Sequence, residues 1–404
     1  MSQRLGVDIA IVGGGVAGAS LALALKDSRL SVALIDRGSL QPKIPDLSCG
    51  IEQVDPRVFA LNLASWAFLA SIGIVLEDQR RFQPFNRLFV SDASSLGQLE
   101  MKASEIGEST MGAIVEHKVL LYSLYQKLQA SNAACFEGVT IDSLRLSNAI
   151  ETPSEITLAD GTVIVANLIV GADGAESWIR KETGFSTNEW DYGHRAIVCT
   201  VACEKPHQKT AWQTFRSDGP LAFLPLPAMD DQPAVSIVWS IEEEKAAELL
   251  ALSDQDFLSE LANVSENWLG ELTGVTKRFS FPLRQRHAKT YYQPGVVLVA
   301  DAAHTIHPLA GQGMNLGLQD VSVLSQELLQ AIKANESLAD PKVLSRYQRK
   351  RKMDNLSMMA AVEGFKRVFE QKTLPAGLLR HLGMAGFDAL PPLKRKIIHL
   401  ASGR

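Results

Sequence analysis

Several short apolar runs along this chain end abruptly in glycine or in an acid. Val7 to Val12 (VDIAIV) is a β-branched run that stops at Gly13-Gly14-Gly15-Val16-Ala17-Gly18, after which Ala19 to Leu25 reads as an apolar helix. A second run, Ser31 to Ile35, closes on Asp36. Further on, Val163 to Val170 leads into Gly171-Ala172-Asp173-Gly174, and Gly295 to Ala300 leads into Asp301. Helical spacing marks Ser65 to Leu69 and Lys118 to Leu128, and Asp160-Gly161 between two alternating runs predicts a hairpin. From about Trp190 the pattern changes. Ile197 to Ala202, Ala211 to Phe215, Leu221 to Leu224 and Ala234 to Ser240 are short strand-like runs punctuated by Asp218-Gly219 and prolines, which predicts a mostly antiparallel sheet.

The first 36 residues carry a dinucleotide fingerprint in its proper context of strand, glycines, helix, strand and acid. Gly13 suits the tight turn, Gly15 lets backbone approach a pyrophosphate, and Gly18 permits close packing of helix on strand. The helix N-terminus then offers unpaired N–H groups to phosphate, and Asp36 is placed to accept from a ribose hydroxyl. An acid there favours an unphosphorylated ribose, as in FAD or NAD. Arg37 is either an adenine neighbour or a solvated turn residue. The later Asp173 and Asp301 turns repeat the strand, acid and small-residue arrangement, and three such turns imply a cofactor longer than one nucleotide half.

Composition narrows the class. At 404 residues the chain has room for two or three domains; 46% hydrophobic and 21% charged residues exclude a disordered or fibrous chain. No uninterrupted apolar run approaches a membrane span, and the N-terminus lacks a small-residue cleavage site, so a cytoplasmic setting is expected. Cys49, Cys135, Cys199 and Cys203 form no CxxC and read as small buried hydrophobes. His304 and His307 stand three apart without a third ligand, so no metal site is expected. A GxSxG elbow is missing as well.

With these motifs in order, the chain resembles the flavin-dependent aromatic hydroxylases of the para-hydroxybenzoate hydroxylase fold. The run His307 to Asp320 (HPLAGQGMNLGLQD) is similar to the signature of the ubiquinone-biosynthesis hydroxylases within that group. So are Asp55 to Leu61, Ile114 to His117, Ala222 to Leu226 and Tyr347 to Arg351, and Trp212 to Leu226 and the tail after Leu344 most resemble the branch acting on a demethoxy-ubiquinol precursor. The resemblance implies an α/β fold: a Rossmann-like FAD domain (1–76, 112–182, 286–345), a substrate domain built on an inserted antiparallel sheet (77–111, 183–285) and a basic helical C-terminal region (346–404). It implies that Gly13, Gly15, Gly18, Asp36 and Arg37 hold the ADP half of FAD, and that Arg57 lies near the flavin. Asp173 and Asp301 then contact its middle, and Pro308, Gly311, Gln312, Gly313, Met314 and Asn315 run along the isoalloxazine. Gly174 and Arg180 belong to the Asp173 motif or initiate a helix after it. No catalytic side chain is assigned.

The activity so implied is ring hydroxylation of a polyprenylated phenol or quinol through a flavin C4a-hydroperoxide, with O₂ as co-substrate and NAD(P)H as a transient reductant, since no second nucleotide fingerprint is present. The alternative is an FAD-dependent reductase or dehydrogenase acting on an isoprenoid or quinone. A flavin halogenase lacks support because WxWxIP is missing. Phe215, Phe223 and Trp239 are candidates for the substrate wall, with core packing as their alternative. A homo-oligomer, a ubiquinone-biosynthesis complex and no nucleic-acid partner are expected. The family pattern has Gly-Asp where this chain has Ala300-Asp301, a methyl at a point of close approach. The net charge of −5 conceals a tail: Lys342 to Arg404 holds 14 basic and 4 acidic residues, either a solvated helical face packed on the flavin domain or a surface that docks to an acidic partner or to anionic lipid at the inner face of the membrane.

Overall fold

The computed structural model describes residues 3–43, 50–75, 81–93, 97–147, 152–265, 267–305, 312–370 and 390–403. The first strand, Arg4–Val12, pairs in parallel with Val32–Ile35 on one side and Val163–Gly171 on the other. Ile9 to Ile11 are fully buried, as expected of a parallel strand covered on both faces. Val163–Gly171 in turn pairs in parallel with Val296–Leu298. These central strands belong to an eight-stranded sheet whose edge includes the Asp160-Gly161 hairpin, with Gly161 in the left-handed region at φ +85°.

Helix Val16–Ala24 is apolar nearly all round, because it is sandwiched between this sheet and the long helix Gln312–Lys333. A nine-stranded sheet carries Thr187–Cys203, Thr210–Phe215, Leu221–Met229, Gln232–Glu242 and Phe279–Ala288, mostly antiparallel, and a three-stranded sheet (Val58–Asn62, Phe82–Phe85, Gly112–Glu116) lies between the two. Helices Pro341–Glu370 and Pro391–Ala401 supply the C-terminal region. No helix among the described residues is long and apolar enough to cross a membrane.

One expectation is corrected and two open alternatives are decided. The strand expected over Gly295 to Ala300 ends at Leu298, because Ala300 turns into the left-handed region at φ +52° and begins a single helical turn, Ala300–Ala302. Phe223 and Trp239 take the core-packing alternative. They are 0% and 1% exposed and point into the core beneath helices Glu243–Ala251 and Asp254–Val264, while the alternate residues Ala222, Ser236 and Val238 occupy the other face. Phe215 is also buried, but the alternation of its strand puts it on the face of Ala222 and Val238.

The basic run after Leu344 is mostly not a free cationic face. Arg346 pairs with Glu327 and Glu336, Lys350 with Glu327, and Arg351 with Asp320 and Asp354. It stitches helix Pro341–Glu370 to helix Gln312–Lys333.

Candidate functional site

The glycine turn at Gly13 and the acid-bearing turns at Asp173 and Asp301 leave one edge of the parallel sheet. Val12, Gly171 and Leu298 stand in register on neighbouring strands, so the chain exits toward the same side at Gly13, Ala172 and Val299. The carboxyl edge of a parallel sheet is where open α/β folds bind their ligands. Cross-links hold the turns together: Ala172 N–H donates to Val12 O (2.8 Å), Val299 N–H to Gly171 O (3.0 Å), and the buried Arg180 guanidinium donates to Ala302 O (2.9 Å) and Ala175 O (2.6 Å).

The glycines divide by what surrounds them. A Cβ on Gly13, at φ +107°, would lie 2.3 Å from Ala172 O, and one on Gly18 would lie 1.8 Å from Gly13 O; these two shape the turn and the helix contact. A Cβ on Gly15 meets nothing within 4 Å, and Gly15 N-caps helix Val16–Ala24 without any side chain satisfying the exposed N–H groups. An open, uncapped helix start of this kind is a phosphate cradle. Asp36 accepts from Gly14 N–H (2.5 Å) and Gly38 N–H (2.6 Å), and Arg37 is exposed beside it. The Tyr125 hydroxyl donates to Gly14 O (3.0 Å), and burial, helped by the Asp36 charge, pushes its pKa up to about 12.

Asp173 serves a second purpose. Its Oδ2 accepts from Trp178 N–H (2.7 Å) and Ile179 N–H (3.0 Å), capping helix Trp178–Glu182, while Oδ1 is buried without a protein partner. Gly174, at φ +81°, and Arg180 take the helix-initiating arrangement.

Asp301 is open to solvent yet enclosed by protein atoms, and the two facts together describe a carboxyl lining a recess. Enclosure pushes it above the usual carboxylate range, against the pull of His304 and Arg57 and with a push from Asp320. Arg57, on the loop before strand Val58–Asn62, therefore lies within electrostatic reach of Asp301. That loop is fixed by Asp55, which accepts from Arg57 N–H (3.0 Å) and Lys118 N–H (3.1 Å) and donates its own N–H to Glu116 (2.8 Å). Glu116 pairs with buried Arg81 at 3.0 Å; burial raises its pKa even against the lowering by Asp55 N–H and Arg81.

Gln312, Gly313 and Met314 form the half-buried first turn of helix Gln312–Lys333. Asn315 differs. Its side chain is buried and bonds to strand Val58–Asn62, accepting from Asn62 N–H (2.9 Å) and donating to Ala60 O (2.8 Å). Pro308, Gly311 and His307 lie outside the described residues. His304 pairs with Asp320.

Residues that pattern reading did not single out surround the same place. Asp320 and Arg351 form a buried ion pair behind the Asp301 turn, and Glu116 and Arg81 form another beneath Arg57. Asp320 was visible only as the last residue of a signature, and Arg351 as one cation in a run.

The donor set fits FAD: an uncapped helix start with space at Gly15, an acid at the second strand end, and a recessed Asp301 beside Arg57. The family model described as FAD binding domain matches residues 6–360. The chain is 35% identical to 3-demethoxyubiquinol 3-hydroxylase of Escherichia coli, over 98% of both chains. It is 34% identical to the ubiquinone hydroxylase UbiL of Rhodospirillum rubrum, covering 98% of this chain and 89% of that one, and 30% identical to human ubiquinone biosynthesis monooxygenase COQ6, covering 98% and 92%. Among solved structures, PqsL of Pseudomonas aeruginosa superposes with a TM-score of 0.77 at 21% identity, covering 94% of this chain and all of that one. The p-nitrophenol 4-monooxygenase PnpA of Pseudomonas putida gives 0.78 at 16%, covering 98% and 97%. At such identities the structures speak for the fold alone.

Proposed function

The chain belongs to the FAD binding domain family, among the ubiquinone-biosynthesis hydroxylases, and from that premise we propose that it hydroxylates the ring of a polyprenylated phenol or quinol intermediate, with FAD as cofactor and O₂ as co-substrate. The observation that carries this is the exit of three turns, one glycine-rich and two acid-bearing, from one sheet edge, with an uncapped helix start at Gly15 and a recessed Asp301 among them. Bound FAD, reduced by a nicotinamide donor, would supply the activation of O₂ and the transfer of one oxygen atom to an electron-rich ring.

The protein's part is to bind, orient and exclude water. Gly13, Gly15, Gly18 and Asp36 hold the ADP half, with Arg37 beside them, and the N–H groups before Trp178 and the Asp173 carboxyl face its middle. Asp301 and Arg57 hold the central region, while the first turn of helix Gln312–Lys333 turns its positive end toward the flavin ring, where negative charge accumulates on reduction. Pro308 and Gly311 belong to the same segment of the signature. We assign 77–111 and 183–285 to the substrate domain. Its substrate-facing wall is the sheet face turned away from the helices, where Val198, Val238 and Ala222 stand side by side, and Leu224 packs on the same cluster as Val58 and Ala60. Small and aliphatic side chains there leave room for a ring with an isoprenoid tail.

Likeness to the 3-demethoxyubiquinol 3-hydroxylase favours the ring carbon that enzyme's name specifies. Membrane contact is assigned to helix Pro391–Ala401, whose Arg395 and Lys396 are exposed; association with a biosynthetic complex and self-association extend the same reading. The decisive experiment is complementation of bacterial strains each lacking one ubiquinone-ring hydroxylase, with the accumulated quinone intermediates identified by mass spectrometry. Rescue of one strain is expected. Failure in all, with normal expression and bound FAD, overturns the substrate assignment and favours the reductase or dehydrogenase.

A further inference from the structure

Asp320 lies on helix Gln312–Lys333, eight positions from its first residue and fully buried. Its two oxygens serve different segments. Oδ2 accepts from Ala300 N–H (3.1 Å) and faces His304 Nε2 (2.5 Å), so one atom grips both shoulders of the turn that carries Asp301. Oδ1 accepts from Arg351 Nε (2.8 Å) and from Asn355 Nδ2 (3.3 Å), both on helix Pro341–Glu370. Asn355 donates in turn to the Tyr291 hydroxyl (3.1 Å), which shares a hydrogen bond with His287 Nε2 (2.8 Å), and His287 stands opposite His304 in the strand ladder. The ring of contacts closes on the Asp301 turn.

We propose that Asp320, clamped by Arg351, is the positioning residue of the FAD site, setting the Asp301 turn and the first turn of helix Gln312–Lys333 in one fixed relation. This rests on the FAD reading above. The helix rises about 1.5 Å per residue, so Asp320 sits roughly 12 Å behind the helix start and a single side chain registers both cofactor-facing segments. Burial alone would raise the carboxyl's pKa, but His304 and Arg351 more than offset it and hold Asp320 ionised below the usual range.

A buried ion pair of this kind is a poor stability device, because an apolar pair of similar volume serves as well or better; what it adds is specificity of arrangement. The same contact orients His304. Its other ring nitrogen, Nδ1, is buried with no protein partner at the turn beside Asp301.

A neighbouring pair provides the control. Glu327 is equally buried, sits on the same helix, and pairs with Arg346 and Lys350 of the same partner helix, but touches neither turn. Purified wild type, Asp320→Asn, the double variant Asp320→Leu/Arg351→Met, and Glu327→Gln are compared for thermal melting without FAD, for FAD affinity by fluorescence quenching, and for the visible circular dichroism of bound flavin. FAD uptake by wild type tests the family reading separately; its absence there would refute that reading and this inference with it.

The expected result is that Asp320→Asn weakens FAD binding by about ten- to a hundredfold and alters the flavin dichroism. Asp320→Leu/Arg351→Met recovers the melting temperature without recovering affinity, while Glu327→Gln lowers melting and leaves affinity and dichroism as in wild type. Affinity and dichroism unchanged in both Asp320 variants would overturn the proposal. So would affinity that tracks melting temperature across all four proteins.

Discussion

The methyl group of Ala300 occupies the space that Gly317 leaves open: a Cβ on Gly317 would stand 2.8 Å from the Ala300 Cβ. The departure from the family's Gly-Asp pattern is therefore accommodated one turn along the facing helix, and the methyl points at protein, not at the edge where the cofactor binds. What the substitution costs is backbone strain, about 1–2 kcal/mol for an L-residue in the left-handed region. Gly317→Ala is expected to destabilise the apo protein by about 1–3 kcal/mol through overpacking. Ala300→Gly/Gly317→Ala should recover most of that loss, and Ala300→Gly alone should be neutral or stabilising. Urea denaturation of the four proteins closes the cycle; additive effects would refute the contact.

Gly13, Gly15 and Gly18 look equivalent in a motif and differ in the structure. Gly13→Ala and Gly18→Ala drive a methyl into backbone, so each should lower stability by about 3 kcal/mol or more. Gly15→Ala has open space and an ordinary φ of −61°, so its melting temperature should match wild type within a degree or two, about 0.5 kcal/mol. Its FAD affinity should nevertheless fall by about tenfold or more, because the methyl occupies the pyrophosphate's approach. Equal retention of flavin by Gly15→Ala and wild type would remove Gly15 from the site.

The three turns were legible because each combines a short β-branched run with glycine or acid at its end, information held within about ten residues. The face of the second sheet was not. Phe223 and Trp239 alternate correctly with Ala222 and Val238, but nothing local says which side two helices will cover, and the aromatics went to the covered one. The basic run from Arg346 to Lys352 stayed ambiguous for a related reason. Its partners Asp320, Glu327 and Glu336 lie on or just beyond another helix, and a charge count cannot distinguish cations facing water from cations facing buried acids.

His287 gives the fold a pH dependence with a definite sign. Burial, with His304 and Lys352 adding to it and Asp320 opposing, lowers its pKa from the ordinary 6.5 to about 4. The unfolded chain takes up this proton first, so the stability His287 contributes is complete above pH 6.5 and is lost as pH falls toward 4, up to about 3 kcal/mol. His117 and His207, also lowered by burial, act in the same direction. Glu116, with its raised pKa, acts oppositely: its share is present at low pH and fades as pH rises above 4.5. Unfolding free energies between pH 4 and 7 should therefore fall on acidification, and less steeply for His287→Gln than for wild type. Parallel curves would show that His287 is not the titrating group.

The C-terminal segment joins regions that lie far apart in sequence. Lys394 pairs with Glu105 at 3.0 Å, Ile398 is fully buried in the small core that includes Met101 and Met111, and Ser402 O accepts from Ala64 N–H at 3.3 Å, next to the Asn62 that holds Asn315. Ile397 and Ile398 of helix Pro391–Ala401 are thus packed on protein, and Arg395 and Lys396 are exposed to any anionic surface. Ile398→Ala should cost about 2–5 kcal/mol, as for other buried aliphatic truncations. Arg395→Glu/Lys396→Glu should leave melting within about 0.5 kcal/mol of wild type. In sedimentation with phosphatidylglycerol vesicles, the charge-reversed protein should bind less than wild type, and more weakly still as salt rises, since attraction between basic segments and anionic lipid is screened. Equal sedimentation of the two proteins would show that this helix is not the membrane contact, because the cations of the Arg346 to Lys352 run that pair with Glu327, Glu336, Asp320 and Asp354 are already neutralised within the fold.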